Sequence, residues 1–142
     1  MITTELSYLT WTAIITALMW VPYILNLIAV RGLVAAVSYP VDPKPLAPWA
    51  ARMKQAHANA IENLVVFATL VLVAHIAGVN NEATAIACVV YFWARVVHFV
   101  VFGFGIPWIR TLSFVIGVGC QNRIGLADSS VRQVRPAFSQ SA

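Results

Sequence analysis

Four long stretches of this sequence carry no charged side chain, and they limit what the chain can fold into. Residues 6–30, 63–81, 83–94 and 96–109 contain no Asp, Glu, Lys or Arg. A helix that crosses a bilayer needs about 20 consecutive, mostly apolar residues. Charged residues make up 10% of the chain and hydrophobic residues 61%, whereas soluble domains are about 25% charged. The sequence therefore predicts an integral membrane protein.

Four apolar segments predict an all-α fold, an integral membrane four-helix bundle. The expected helices cover about residues 7–31, 49–77, 82–104 and 108–127, and residues 128–142 are expected to form a polar, mobile tail. Pro22 predicts a kink in the first helix, which neighbouring helices make tolerable in a membrane. Four prolines within residues 39–48 exclude a helix there. Arg110 and the polar run 121–123 interrupt the fourth segment.

The distribution of the nine Lys and Arg residues favours a membrane protein over a nucleic-acid-binding one. They give a net charge of +4 but form no dense run, and most lie at the ends of apolar segments, as flanking charges of membrane helices do. The positive-inside rule places the first and third loops in the cytoplasm and both termini outside. Arg123, Arg132 and Arg135 favour the opposite orientation. Cys88 and Cys120 lack the spacing of a zinc site or a disulfide framework, so no metal is expected.

Polar residues on the second and third predicted helices form two narrow faces. At about 100° per residue, one face of the second helix carries Arg52, Gln55, Asn59, Glu62 and Asn63, while His57 points away from it. Arg95 and His98 share a face of the third helix. A charge in the middle of a bilayer costs about 2.5–3.5 kcal/mol even on the gentler insertion scale, so ionisable residues there indicate a functional site. A structural polar network that fixes helix register remains the alternative.

The same residues resemble the motifs of a known family. The segment from Arg52 to Asn63, RMKQAHANAIEN, is similar to the R-x-x-x-A-H-x-N-x-x-E-N signature of the MAPEG family, the membrane-associated proteins in eicosanoid and glutathione metabolism. Arg95-Val-Val-His98 resembles the family's R-x-x-H element. The stretch RTLSF that begins at Arg110 resembles the start of the fourth helix in microsomal glutathione transferases. The resemblance covers about residues 8–127 and is closest to bacterial-type members of that group.

The resemblance implies a homotrimer in a bacterial inner membrane, with glutathione bound as co-substrate between neighbouring subunits. It implies that Asn59 and Glu62 hold the polar backbone and amine of the peptide. It also implies that three arginines pair with the carboxylates of glutathione, namely Arg31, Arg52 and Arg95. His98 is expected to support these arginines. Arg110 is expected near the glutathione sulfur, where a cation lowers the pKa of a thiol and enriches the nucleophilic thiolate.

The chemistry of glutathione agrees with these residue types. It carries two carboxylates, an amine and a thiol, and arginine stays charged while presenting a planar fork to carboxylates. The expected function is a glutathione-dependent transferase or peroxidase that acts on hydrophobic electrophiles arriving from the lipid. The alternative is a noncatalytic lipid-binding or scaffold protein of the same fold. No nucleic-acid partner is expected.

Overall fold

The first membrane segment is a broken helix. The computed structural model describes the backbone of residues 2–138 and the side chains of residues 2–127. Helix α1 spans Thr4–Leu18 and helix α2 spans Val21–Arg31. Pro22 lies in the first turn of α2, where its ring would collide with the carbonyl of Leu18 if the helix were continuous. The predicted kink at Pro22 is therefore a break between two helices.

The connection between the first two membrane segments is irregular, apart from one short helix. Helix α3, Leu33–Val37, follows Gly32, and residues 38–47 contain no helix. The end of this connection is tied to α2, because the backbone N–H of Ala47 donates to Asn26 Oδ1 at 3.0 Å. Pro48 then occupies the first turn of the next helix, where its missing N–H is not required.

Two long helices follow. Helix α4 spans Pro48–Ile76 and helix α5 spans Glu82–Phe104, against predicted bounds of about 49–77 and 82–104. Asn81 and Thr84 cap the start of α5 reciprocally: the Asn81 side chain accepts from the Thr84 backbone, and the Thr84 hydroxyl accepts from the Asn81 backbone. The hydroxyl of Thr84 lies 2.7 Å from Oε1 of the buried Glu5. This contact fixes the start of α1 beside the start of α5.

The last helix is longer than the sequence predicts. Helix α6 spans Pro107–Phe138, whereas the predicted helix ends near residue 127. The change to a polar composition after residue 127 suggested a tail, but polarity alone does not end a helix. The mobility expected for residues 128–142 stays a prediction, and residues 139–142 lie outside the described part of the chain.

Helix α5 lies at the centre of the fold, where it contacts α1, α4 and α6. The rings of Phe67 on α4 and Tyr91 on α5 stack with centroids 3.8 Å apart. Val71 and Ile124 are buried in the same cluster, which joins α4, α5 and α6. The same packing brings the polar faces of α4 and α5 together. On α5, this polar region begins about one helical turn beyond Tyr91.

Three helical segments are long and apolar enough to cross a membrane: Thr4–Arg31, Pro48–Ile76 and Glu82–Phe104. The described part of α6 is not among them. Many large apolar side chains are exposed on the protomer, as lipid contact requires. Within residues 2–138 the structure has helices and no strand. The fold is all-α and membrane-associated, and the count of four spans stays a prediction.

Candidate functional site

Arg95 is buried in the middle of α5 and bonds to α4. Its side chain is 2% exposed, and Nη2 donates to Asn59 Oδ1 at 2.8 Å. Hydrogen bonds to charged groups contribute about 1.5–3 kcal/mol each. This contact joins the two polar faces that the sequence predicts.

His98 lies one turn further along α5 and contacts the start of α6. Its Nδ1 is 3.1 Å from the backbone carbonyl oxygen of Arg110. A carbonyl only accepts, so Nδ1 carries the proton and donates. The hydroxyl of Ser113 donates to the same carbonyl at 2.9 Å. The His98 contact fixes the first turn of α6 against α5 and thereby positions the backbone of Arg110.

Arg110 is half-buried and packs on an aromatic ring. The carbon at the centre of its guanidinium lies 4.8 Å from the centroid of the Phe102 ring, within the range of a cation–π contact. The ring of Phe102 in turn meets His98 edge-on, with centroids 5.6 Å apart. Arg110 therefore has an anchored side chain whose charge is not taken up by a carboxylate among the described residues.

A cavity of about 350 Å³ lies between α4, α5 and α6 beside Arg110. Its lining combines amide, hydroxyl, imidazole and guanidinium groups with two aromatic rings: Gln55, Asn59, His98, Phe102, Arg110, Thr111 and Phe114. Small-molecule sites usually measure about 300–1,000 Å³ and combine apolar walls with a few polar groups. The cavity has both properties.

Two buried polar atoms near this cavity have no hydrogen-bond partner: Nε of Arg95 and Nε2 of His98. They are the only such side-chain atoms in the described part of the chain. Because Nδ1 of His98 donates, its Nε2 is an acceptor, whereas Nε of Arg95 is a donor. An unsatisfied buried group costs about 1–3 kcal/mol. Within the protomer, one buried donor and one buried acceptor near the cavity therefore have no hydrogen-bond partner.

Arg52 closes the end of α5 instead of lining the cavity. Its Nε donates to the carbonyl oxygen of Gly103 at 3.0 Å. The chain then turns at Gly105, which has a φ of +76°, a conformation that favours glycine. A Cβ on Gly105 would also lie 3.2 Å from the Arg52 guanidinium carbon. Arg52 thus binds a backbone group close to the site.

Two predicted site residues lie apart from the cavity within one protomer. Arg31 donates from Nε to the carbonyl oxygen of Lys44 at 2.7 Å and lines a separate cavity of about 160 Å³. Glu62 is exposed on α4, and Arg95 bonds to Asn59 and not to it. The structure therefore brings Asn59, His98 and Arg110 to one cavity, with Arg95 directly behind Asn59.

Sequence reasoning missed a second polar contact between the same three helices. Gln121 on α6 is 7% exposed, and its Nε2 donates to the carbonyl oxygen of Asn63 at 3.1 Å. The hydroxyl of Tyr91 lies 3.5 Å from the same nitrogen. The available signal was the glutamine itself, a polar residue that interrupts an otherwise apolar stretch.

His57 lies away from the cavity, as its position on α4 predicts. Its Nδ1 is 2.9 Å from the hydroxyl of Tyr23 on α2. His57 is not among the residues that line the cavity beside Arg110. It therefore belongs to the contact between the first two membrane segments.

Comparison with known proteins places most of the chain in one family. The model of the MAPEG family matches residues 8–126, a range that includes every residue of the site described above. No curated protein matches the chain.

Proposed function

Because the chain belongs to the MAPEG family, which includes glutathione transferases and related membrane proteins, we propose that it is a glutathione-dependent transferase or peroxidase. It would be a bacterial-type, inner-membrane member that acts on hydrophobic electrophiles. The observation that carries this proposal is the position of Arg110. Its cation is anchored on Phe102 at 4.8 Å and lines a cavity together with Asn59 and His98.

Arg110 supplies the charge that thiol chemistry needs. A cation beside a thiol lowers its pKa and raises the fraction of the nucleophilic thiolate. In conjugation, the sulfur forms a bond to the electrophilic carbon, and the leaving group departs with its electron pair. In peroxide reduction, the sulfur takes the terminal oxygen and releases an alcohol, and a second glutathione then gives the disulfide and water.

The rest of the glutathione molecule needs polar partners along the cavity. Asn59 offers an amide, and His98 offers an imidazole whose Nε2 has no partner in the protomer. Arg95 holds the Asn59 side chain from behind, so its first role is to position that amide. Arg52 lies at the nearby end of α5, where its remaining N–H groups can reach a carboxylate.

We also propose that the protein is a four-span homotrimer with the site completed by a neighbouring subunit. Gln55 and Glu62 are exposed on one face of α4, and Glu62 lies near the middle of that membrane-capable helix. Leaving a carboxylate there in lipid costs about 2.5–3.5 kcal/mol or more. A second copy, with bound glutathione, would cover this face. Arg31 would then contribute from a neighbouring copy and not from its own.

Conjugation of glutathione to a reactive aryl halide tests the proposed chemistry. The purified protein is expected to form the thioether, and Arg110→Ala is expected to reduce kcat/KM by about 10²-fold or more, the size seen when one electrostatic stabiliser is removed. Lys54→Gln is the matched control, because Lys54 is an exposed cation of α4 outside the cavity. Equal rates for the wild type and Arg110→Ala would reject the role of Arg110.

The alternative is a noncatalytic lipid-binding or scaffold protein with the same fold. Hydrogen bonds between polar groups of the protein itself favour this alternative, because they can stabilise the fold without a ligand. Arg95 bonds to Asn59, and His98 bonds to the Arg110 carbonyl. The two functions differ in their response to glutathione. A ligand at 100 times its Kd stabilises a protein by about 2.7 kcal/mol, so glutathione should raise the Tm of an enzyme. An unchanged Tm, with no conjugation, would favour the scaffold.

A further inference from the structure

A continuous apolar groove runs between α5 and α6, separate from the site beside Arg110. It consists of two adjoining cavities of about 310 and 230 Å³. The first is lined by residues within 89–97 and 113–116, the second by residues within 83–90 and 116–123. Val90 and Ile116 line both, so the two cavities form one surface. We refer to it as the α5–α6 groove.

The α5–α6 groove is longer than the hydrocarbon of one bilayer leaflet, so it can hold the whole acyl chain of a lipid in that leaflet. Its α5 wall extends from Ala83 to Val97, which at 1.5 Å per residue is about 21 Å. The hydrocarbon of a bilayer is about 30 Å thick, so one leaflet takes about half of that. Trp93 is 57% exposed along this wall and Val90 40% exposed. An acyl chain would therefore fit along the groove with its full apolar length in contact.

One end of the groove carries a positive charge. Arg123 is exposed and lines the groove at the level of Ala83 and Ile86, in the first turns of α5. That helix begins at Glu82 after the capping residue Asn81, so this level corresponds to the membrane interface. Among the side chains of residues 2–127, none that lines the groove is acidic. Arg123 is thus an exposed cation at one end of the apolar groove.

We propose that the α5–α6 groove binds an anionic phospholipid, with one acyl chain along the groove and the phosphate at Arg123. Arginine presents a planar fork to a phosphate group, and the attraction of one Arg to an anionic membrane surface corresponds to about a fivefold preference. No residue of α4 lines the groove, so the lipid and the proposed subunit contact use different faces. The site is independent of the proposed enzymatic function.

Native mass spectrometry of the full-length protein in detergent tests the headgroup. After addition of dioleoylphosphatidylglycerol or dioleoylphosphatidylcholine, the wild type is expected to retain about five times more of the anionic lipid. Arg123→Gln should retain the two lipids equally, whereas Lys54→Gln, which removes an exposed cation on α4, should keep the preference. Equal retention by the wild type, or an unchanged preference in Arg123→Gln, would overturn the proposal.

A second pair of variants tests the groove itself. Gly119 lines the groove, and a Cβ there would meet nothing within 4 Å, so Gly119→Leu adds a side chain on the groove wall. Gly119→Leu is expected to lose most adducts of both lipids, and Gly119→Ala to keep them. Displacement of the lipid by inorganic phosphate would contradict a lipid site. So would a Gly119→Leu variant that keeps its lipid adducts, or one in which the number of subunits changes and the lipid adducts do not.

Discussion

The buried side chain of Arg95 forms the main polar contact between α4 and α5 at the candidate site. It is 2% exposed and bonds to a neutral amide, Asn59, at 2.8 Å. We expect Asn59→Ala to lower the free energy of unfolding by about 1.5–3 kcal/mol, because it removes a hydrogen bond to a buried charge. Denaturation of the detergent-solubilised protein, followed by circular dichroism, measures the change.

Asn80→Ala is the control for this substitution. Asn80 is exposed in the turn before α5, and its side chain contacts His75 at 3.3 Å at the surface. We expect the free energy of unfolding of this variant to lie within about 0.5 kcal/mol of the wild-type value, as is usual for surface substitutions. If Asn59→Ala proved as stable as Asn80→Ala, the Asn59–Arg95 bond would not stabilise the fold.

Single residues were predictable from the sequence where their burial in a membrane costs free energy. Arg95 stood out because a charge inside an apolar helix requires a partner, and the periodicity of α4 placed Asn59 on the same face as Glu62. Periodicity could not say which of these two side chains Arg95 contacts. That choice depends on the rotation of α4 against α5, which the packing of Phe67 on Tyr91 sets.

The end of α5 is a tight turn that glycine makes possible. Gly105 has a φ of +76°, and a Cβ there would lie 3.2 Å from the Arg52 guanidinium. A side chain in this backbone conformation costs about 1–2 kcal/mol. Gly105→Ala should therefore lower the free energy of unfolding by at least that amount, which thermal denaturation in detergent can measure.

Gly119 provides the matched comparison for Gly105. It lies inside α6, and a Cβ there meets nothing within 4 Å. Alanine in a helix interior is about 0.5–1 kcal/mol more favourable than glycine, so Gly119→Ala is expected to raise stability. Loss of stability of the same size in both variants would show that the effect at Gly105 is not conformational.

The first two membrane segments are joined by a hydrogen bond between side chains. The Tyr23 hydroxyl lies 2.9 Å from His57 Nδ1, and a typical hydrogen bond contributes about 0.5–1.5 kcal/mol. A double-mutant cycle with Tyr23→Phe and His57→Ala should give a coupling energy in that range. Additive effects of the two substitutions would contradict a direct bond.

The elements were predictable where a residue defines their ends. Pro48, Asn81 and Gly105 mark the boundaries of α4 and α5, because each has a backbone or capping preference that acts locally. The end of α6 was not predictable in this way, since no glycine or proline lies in residues 126–135. Only the change in composition was available there, and the helix continues through it to Phe138.

For the whole molecule, we propose that a second protomer covers the exposed polar face of α4, because a carboxylate left in lipid is costly. Gln55 and Glu62 are exposed beside many apolar side chains. We expect the purified protein in detergent to have the mass of three copies, measured by light scattering with the detergent contribution subtracted. A single copy that still conjugates glutathione would contradict the proposed site between subunits, because Glu62 and Arg31 would then have no role in it.

We propose above all that Arg110 stabilises a glutathione thiolate beside Asn59 and His98. The most direct test is the ultraviolet difference spectrum of the detergent-solubilised protein on addition of glutathione at neutral pH, where the thiolate absorbs and the thiol does not. The wild type and Lys54→Gln are expected to give the thiolate band, and Arg110→Ala is expected to lose it while keeping its helical circular dichroism. A band of full height in Arg110→Ala, or no band in the wild type, would contradict the claim.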